Sequence, residues 1–196
     1  MSIRLSRRAL VGAGLAAALV AGGSAVAVAA TTEPAYTAPA AAADAQLSAT
    51  LLALTEEERM AHDLYAAFAA RYDQARPFSM IVNSESQHLA TMRAMLTAYG
   101  VADAGAALPA GTYAVPAVQS LYDGWLAAGT ASVKAAAQVG VDLEQRDIAD
   151  LQVARAAATQ SDLQAVLDRL IAASQHHLSA FQGTVDGTVT PGEGMG

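Results

Sequence analysis

Four stretches of this chain carry apolar residues at alternating spacings of three and four, and ionisable or polar residues interrupt each stripe near its middle. From Leu47 to Tyr72 the stripe reads Leu47, Leu51, Leu54, Glu58, Ala61, Tyr65, Phe68 and Tyr72. From Phe78 to Tyr99 it reads Phe78, Ile81, Glu85, His88, Met92, Met95 and Tyr99. The third, from Ala131 to Ala157, is Val133, Ala137, Gly140, Glu144, Asp147, Leu151 and Ala154, flanked by Val141 and Ile148. The fourth, from Ser161 to Gln182, is Leu163, Leu167, Leu170, Ser174, His177 and Phe181. A period near 3.6 gathers each set on one face of an α-helix. The spacing therefore predicts an all-α chain whose four long helices bury their stripes against one another.

Composition agrees. Hydrophobic residues make up 54% of the 196 positions, but aromatics only 5%, and Ala rather than β-branched residues dominates, which suits helix packing better than a sheet. Gly100 marks the end of the second helix and Ser161 is the expected N-cap of the fourth. The links at 73–77 and 158–161 are short, so the helices they join should be antiparallel neighbours. About 30 residues, Val101 to Thr130, separate the second and third helices, enough to return along a bundle about 30 Å long. Pro116 to Ala127 should form a short helix within that crossover, ended by Gly129, with Leu121, Tyr122 and Trp125 capping the bundle. One long crossover is the ferritin-like arrangement of a four-helix bundle.

The interrupting residues fall at similar depths, so packing should bring Glu58, Glu85, His88, Glu144, Asp147 and His177 together. Four carboxylates buried without compensation would cost several kcal/mol per charge. Two divalent ions supply four positive charges, and carboxylate oxygen with imidazole nitrogen suits iron, manganese or zinc. Cysteine is absent, so thiolate sites and disulfides are excluded. The competing account is a set of protonated or mutually hydrogen-bonded core groups with no metal. Glu56 and Glu57 compete with Glu58 for the first position; Glu57 would look toward Met60 and Leu64. His176, about 100° around the helix from His177, reads as a surface residue or a partner of the ligands rather than a ligand. His62 and Asp63 read as surface groups or partners of the ligands. Tyr65 is either a relay near the metals or a buried phenol with an ordinary partner, and Met60, Met80, Met92 and Met95 read as core filler.

The segments Glu57-Glu58-Arg59-Met60-Ala61-His62, Ser84-Glu85-Ser86-Gln87-His88, Leu143-Glu144-Gln145-Arg146-Asp147 and Ser174-Gln175-His176-His177 together resemble an uncharacterised ferritin-like domain family found in exported proteins, related in fold to rubrerythrins and ferritins. The resemblance covers residues 47–182. It implies a carboxylate-bridged dinuclear centre built from one Glu, then ExxH, then Glu, then ExxH. Glu58, Glu85 with His88, Glu144 and His177 match that order, with Glu85 and Glu144 as candidate bridges. Ser174 departs from it, standing where the last Glu belongs, and Asp147 is the candidate replacement.

Ser6-Arg7-Arg8 followed by a Gly/Ala/Leu/Val run and Ala27-Val28-Ala29 resembles a twin-arginine export signal over residues 1–30, a route that carries folded, often cofactor-loaded proteins. Residues 31–45 read as a flexible linker, 46–182 as the bundle and 183–196 as a disordered tail. Removing Arg4, Arg7 and Arg8 from the 11 basic residues leaves 8 against 18 acidic, a charge of −10. Such a surface repels phosphate backbones and anionic lipid and attracts cations. The expectation is an envelope or extracellular protein without nucleic-acid partner or stable membrane span after cleavage, and of open assembly state. It would bind two iron (or manganese or zinc) ions and react with oxygen or peroxide. Metal handling without turnover, or a metal-free helical interaction module, are the alternatives.

Overall fold

The computed structural model describes residues 44–188. These form five helices and no strand: α1 (Ala45–Arg71), α2 (Phe78–Ala98), α3 (Pro116–Gly129), α4 (Val133–Ala157) and α5 (Ser161–Val185). The export signal, residues 31–43 of the linker and residues 189–196 of the tail lie outside the described residues.

Local chemistry explains where the helices start and stop. The Asp44 carboxylate accepts from the Leu47 amide at 2.8 Å and opens α1; the Ser132 hydroxyl accepts from the Ala135 amide at 3.0 Å and opens α4, so α4 begins at Val133 rather than Ala131. Ser161 is not a cap. It is the first helical residue of α5, the extended residue before it is Gln160, and no side chain caps that end. Asp162 in the same first turn accepts instead from the Tyr99 hydroxyl at 3.0 Å. Gly100 adopts φ +68° after α2, and the Val101 amide returns to Leu96 O at 2.8 Å, a left-handed turn that releases the chain from the helix. The same turn recurs at Gly187, with φ +72° and Thr188 bonded back to Gly183 O at 2.9 Å. Helix α5 therefore runs three residues beyond Gln182, into the segment expected to be tail.

The apolar residues separate into two clusters. One contains Ala61, Leu64, Tyr65 and Phe68 of α1, Phe78 and Ile81 of α2, Ala137 and Val141 of α4, and Phe181 of α5. The other contains Leu51 and Leu54 of α1, Met92 and Met95 of α2, Leu151 and Ala154 of α4, and Leu163, Leu167 and Leu170 of α5. Every one of these four helices contributes to both, and on each the interrupting polar residues lie between its two contributions. Tyr65, Phe68, Phe78 and Phe181 are fully buried, each worth about 2–3 kcal/mol of apolar transfer. Of the methionines, Met60, Met92 and Met95 are core residues, but Met80 is 55% exposed; it lies between Phe78 and Ile81 on the chain and is turned off their face.

Helix α3 packs on α1 and α4, with Val118 in the first cluster and Leu121, Tyr122 and Trp125 against it. The segment leading into α3 is clasped to α1 by buried charges. Arg59 pairs with Glu56 at 3.1 Å, donates to the carbonyls of Leu108 and Thr112, and lies 4.6 Å over the Tyr113 ring. Glu56 accepts from the Ala114 amide at 2.7 Å. Asp63 accepts from the Gly111 amide and the Tyr113 hydroxyl, both at 2.9 Å, and these bonds with that of His62 outweigh its burial and hold its carboxyl below the ordinary value. Among the described residues no helix is long and apolar enough to cross a membrane.

Candidate metal centre

Between the two apolar clusters, four helices bring together the residues that interrupted their stripes. Glu58 comes from α1, Glu85 and His88 from α2, Glu144 and Asp147 from α4, and Ser174 and His177 from α5; all are buried. Glu85 stands between the two imidazoles. Its Oε2 lies 3.3 Å from His88 Nδ1 and its Oε1 lies 2.8 Å from His177 Nδ1. Glu58 Oε2 adds a second oxygen 3.3 Å from His88 Nδ1, and Glu144 Oε1 one 3.5 Å from His177 Nδ1. The rings stack 5.3 Å apart at 25°. The ligand atoms of Glu85, His88 and His177 all lie within 4.8 Å of one another, a group that could hold a metal ion.

The hydrogen bonding is incomplete at the centre of this cluster. Glu58 Oε1, His88 Nδ1 and His177 Nδ1 are buried without a hydrogen-bond partner. For His177 the separation from Glu85 is short enough, so it is direction that fails: the ring does not aim Nδ1–H at the oxygen. Ligand atoms that crowd together without bonding to one another are what a shared cation would organise.

Around the rim the bonding is complete. The Tyr65 hydroxyl donates to Glu144 Oε1 at 2.7 Å; burial and the neighbouring Glu144 and Glu85 carboxylates push its pKa well above 10, so it remains a neutral donor. Ser174 Oγ donates to Asp147 Oδ2 at 2.8 Å. Ser84 Oγ lies 3.0 Å from His177 Nε2 and 3.5 Å from His88 Nε2, on the outer edges of both rings.

Protons compensate the buried charge in the metal-free protein. Burial, with the Glu85 carboxylate adding to it, raises Glu58 to about 8 and Glu144 to about 7. Burial, then Glu58 and Glu144, raise Asp147 well above its ordinary value. Glu85 is buried as deeply, but its contacts with His177 and His88 outweigh desolvation and draw it down to about 2. Burial disfavours both imidazolium ions, yet the facing carboxylates prevail, raising His88 to about 10 and His177 to about 9.

The register question at the start of the site is decided by contact: Glu58 reaches His88, whereas Glu57 turns to Arg146 on α4 at 3.3 Å and is raised to about 7, chiefly by burial and by Asp150. His176 is exposed and His62 pairs with Asp63 at 3.0 Å, both away from the cluster. Ser84 was missed on the sequence; its position one turn before His88 on the same face was the available signal.

A model of the family described as "Uncharacterized protein domain (DUF2202)" matches residues 48–190. The chain belongs to that family. This DUF2202 domain is 28% identical over 131 residues to "Uncharacterized protein MJ0754" of Methanocaldococcus jannaschii, spanning 67% of this chain and 70% of that protein. The crystal structure of hypothetical protein MJ0754 from Methanococcus jannaschii DSM 2661 superposes with a TM-score of 0.72 at 25% identity, over 76% of this chain and 85% of that one. The domain thus has an experimentally determined structural relative.

Proposed function

We propose that this DUF2202 domain is a ferritin-like four-helix bundle holding a carboxylate-bridged pair of iron or manganese ions, redox-active toward oxygen or peroxide, in a protein exported through a twin-arginine-type signal. The observation that carries the reading is Glu85, whose two oxygens face different imidazole nitrogens that lack hydrogen bonds. A carboxylate so placed suits a bridge between two ions better than a ligand to one. Glu58 with His88 would complete one position and Glu144 with His177 the other. Asp147, held by Ser174, would supply the carboxylate that a Glu at position 174 would otherwise bring. Glu85 and Glu144, the two carboxylates facing the His177 imidazole, would be the bridging candidates in this reading, with Glu58 and Asp147 as terminal carboxylates.

The topology is supported by the order of cluster residues along the helices. Helices α1 and α5 pass from the Leu51/Leu163 cluster to the Phe68/Phe181 cluster, while α2 and α4 pass the other way. Helices α2 and α4 then run in the same sense, which requires the segment between them to return along the bundle. An oxygen-rich pair of such ions supplies two-electron chemistry toward oxygen or peroxide. The chain's own part is to neutralise that charge with four carboxylates, to hold Glu144 by the Tyr65 hydroxyl, and to keep one flank dry with Tyr65, Phe78 and Phe181, whose rings lie 4.9 to 6.3 Å apart. Envelope metal handling without turnover uses the same site. The protonation pattern favours a second reading, a metal-free interaction module whose core is neutralised by protons alone.

Elemental analysis of tag-free protein, beside a Glu85→Ala/His88→Ala variant, tests the centre. Roughly two metal equivalents, lost in the variant, are expected, followed by peroxide or oxygen consumption by the loaded protein. Tight binding without consumption selects metal handling. A folded wild type that takes up no iron, manganese or zinc on anaerobic reconstitution removes the centre and leaves the interaction module.

A further inference from the structure

A cavity of about 250 Å³ lies between α2 and α5 beside the candidate metal centre, walled by Ser84, Gln87, His88 and Thr91 from one helix and by Arg169 and Leu170 from the other. Its lining contains no carboxylate, although acidic residues outnumber basic ones 18 to 11 in the chain. Arg169 is exposed and makes no ion pair or hydrogen bond among the described residues, unlike Arg93 and Arg155, which each meet an Asp. The Gln87 side-chain amide is likewise unengaged among the described residues.

Ser84 adds a third donor. With Nδ1 of each histidine turned to the centre, Nε2 carries the proton, and Ser84 Oγ lies 3.0 Å from one Nε2 and 3.5 Å from the other. A His177 Nε2–H donating to that oxygen at 3.0 Å leaves the serine's own O–H to donate elsewhere. Guanidinium, amide and hydroxyl donors around one small cavity are complementary to the oxygens of an anion and would leave a cation unsatisfied.

We propose that this cavity binds a small oxyanion of the phosphate or carboxylate type, with Arg169 at its mouth and Ser84 at its floor. The site stands on its own lining; its coupling to metal rests on the dinuclear reading above. An anion accepting from Ser84 O–H makes that oxygen a better acceptor for both imidazole N–H groups, and so makes each Nδ1 a better ligand. Anion and metal then strengthen each other's binding by the same factor.

Calorimetric titration of inorganic phosphate, and separately of acetate, into the full-length protein with and without manganese tests this. One saturable equivalent of at least one anion is expected, weakened about tenfold or more in Arg169→Gln, whose exposed position leaves the fold unchanged. Ser84→Ala is expected to weaken the anion and to abolish the mutual effect with manganese. Absence of saturable binding of either anion to wild type in both forms, or equal binding to wild type and Arg169→Gln, overturns the site. Should the protein bind neither manganese nor, on anaerobic reconstitution, iron or zinc, the dinuclear reading fails and the metal-free titration still decides the cavity. If it binds both but each without effect on the other, the coupling is wrong.

Discussion

Ser174 and Asp147 form the pair on which the composition of the site turns. Their 2.8 Å contact places the α4 carboxylate against the α5 backbone position where a longer acid would project. In Asp147→Ala the protein is expected to lose about one of two metal equivalents while keeping its helical circular dichroism. Ser174→Glu alone puts a second acid against Asp147 and should destabilise the fold, since like charges cannot both be ionised at that separation. Ser174→Glu/Asp147→Ser should recover two equivalents, and metal analysis of the three variants distinguishes a displaced ligand from a bystander. The same cluster sets a pH dependence for the metal-free protein. His88 and His177 rise from 6.5 to about 10 and 9, and Glu58 and Glu144 from 4.5 to about 8 and 7. All four bind protons more tightly folded than unfolded, so their contribution is complete below the unfolded values and is lost as pH climbs through the folded ones. Glu85 runs in the opposite direction, but its window closes below 4.5. Melting curves of the metal-free protein should therefore show Tm falling from about pH 5 to about pH 10; a flat profile would mean that the cluster is hydrated rather than buried.

At the scale of helices, α4 packs tightly on α5 at Gly140, where a Cβ would come within 2.6 Å of the Phe181 ring. That ring also packs on Tyr65 and Phe78, so it has nowhere to retreat, and Gly140→Ala is expected to cost about 1–3 kcal/mol in urea unfolding. The four long helices were legible because a stripe of period 3.6 is written directly in the order of residues. Glu58, Glu85, His88, Glu144 and His177 were legible as breaks in those stripes. The clasp made by Glu56, Arg59 and Asp63 was not. An acid and a base three apart on a helix ordinarily mark a solvated face, and nothing local says that residues 108–114 will be laid over it. The false cap at Ser161 has a similar cause: a hydroxyl at a helix start is a good cap only if the backbone turns extended at that residue, and here it does so one residue earlier, at Gln160.

For the whole molecule, the consequential feature is the division of the apolar interior into two bodies with the polar cluster between them. A helix ordinarily exchanges its amide protons fastest at its ends and slowest in its middle. Here each long helix is anchored by hydrophobic contacts on both sides of its centre, and its centre faces the polar cluster. On the proposed dinuclear reading, stripping the metal should invert the usual gradient. Amides around Glu58, Glu85, Glu144 and Ser174 would exchange faster than those two turns away in either direction, and reloading would slow them again. The protein would then resemble a rod joined at its waist by a removable pin, retaining secondary structure on both sides of a joint whose stiffness is set by the supply of ions.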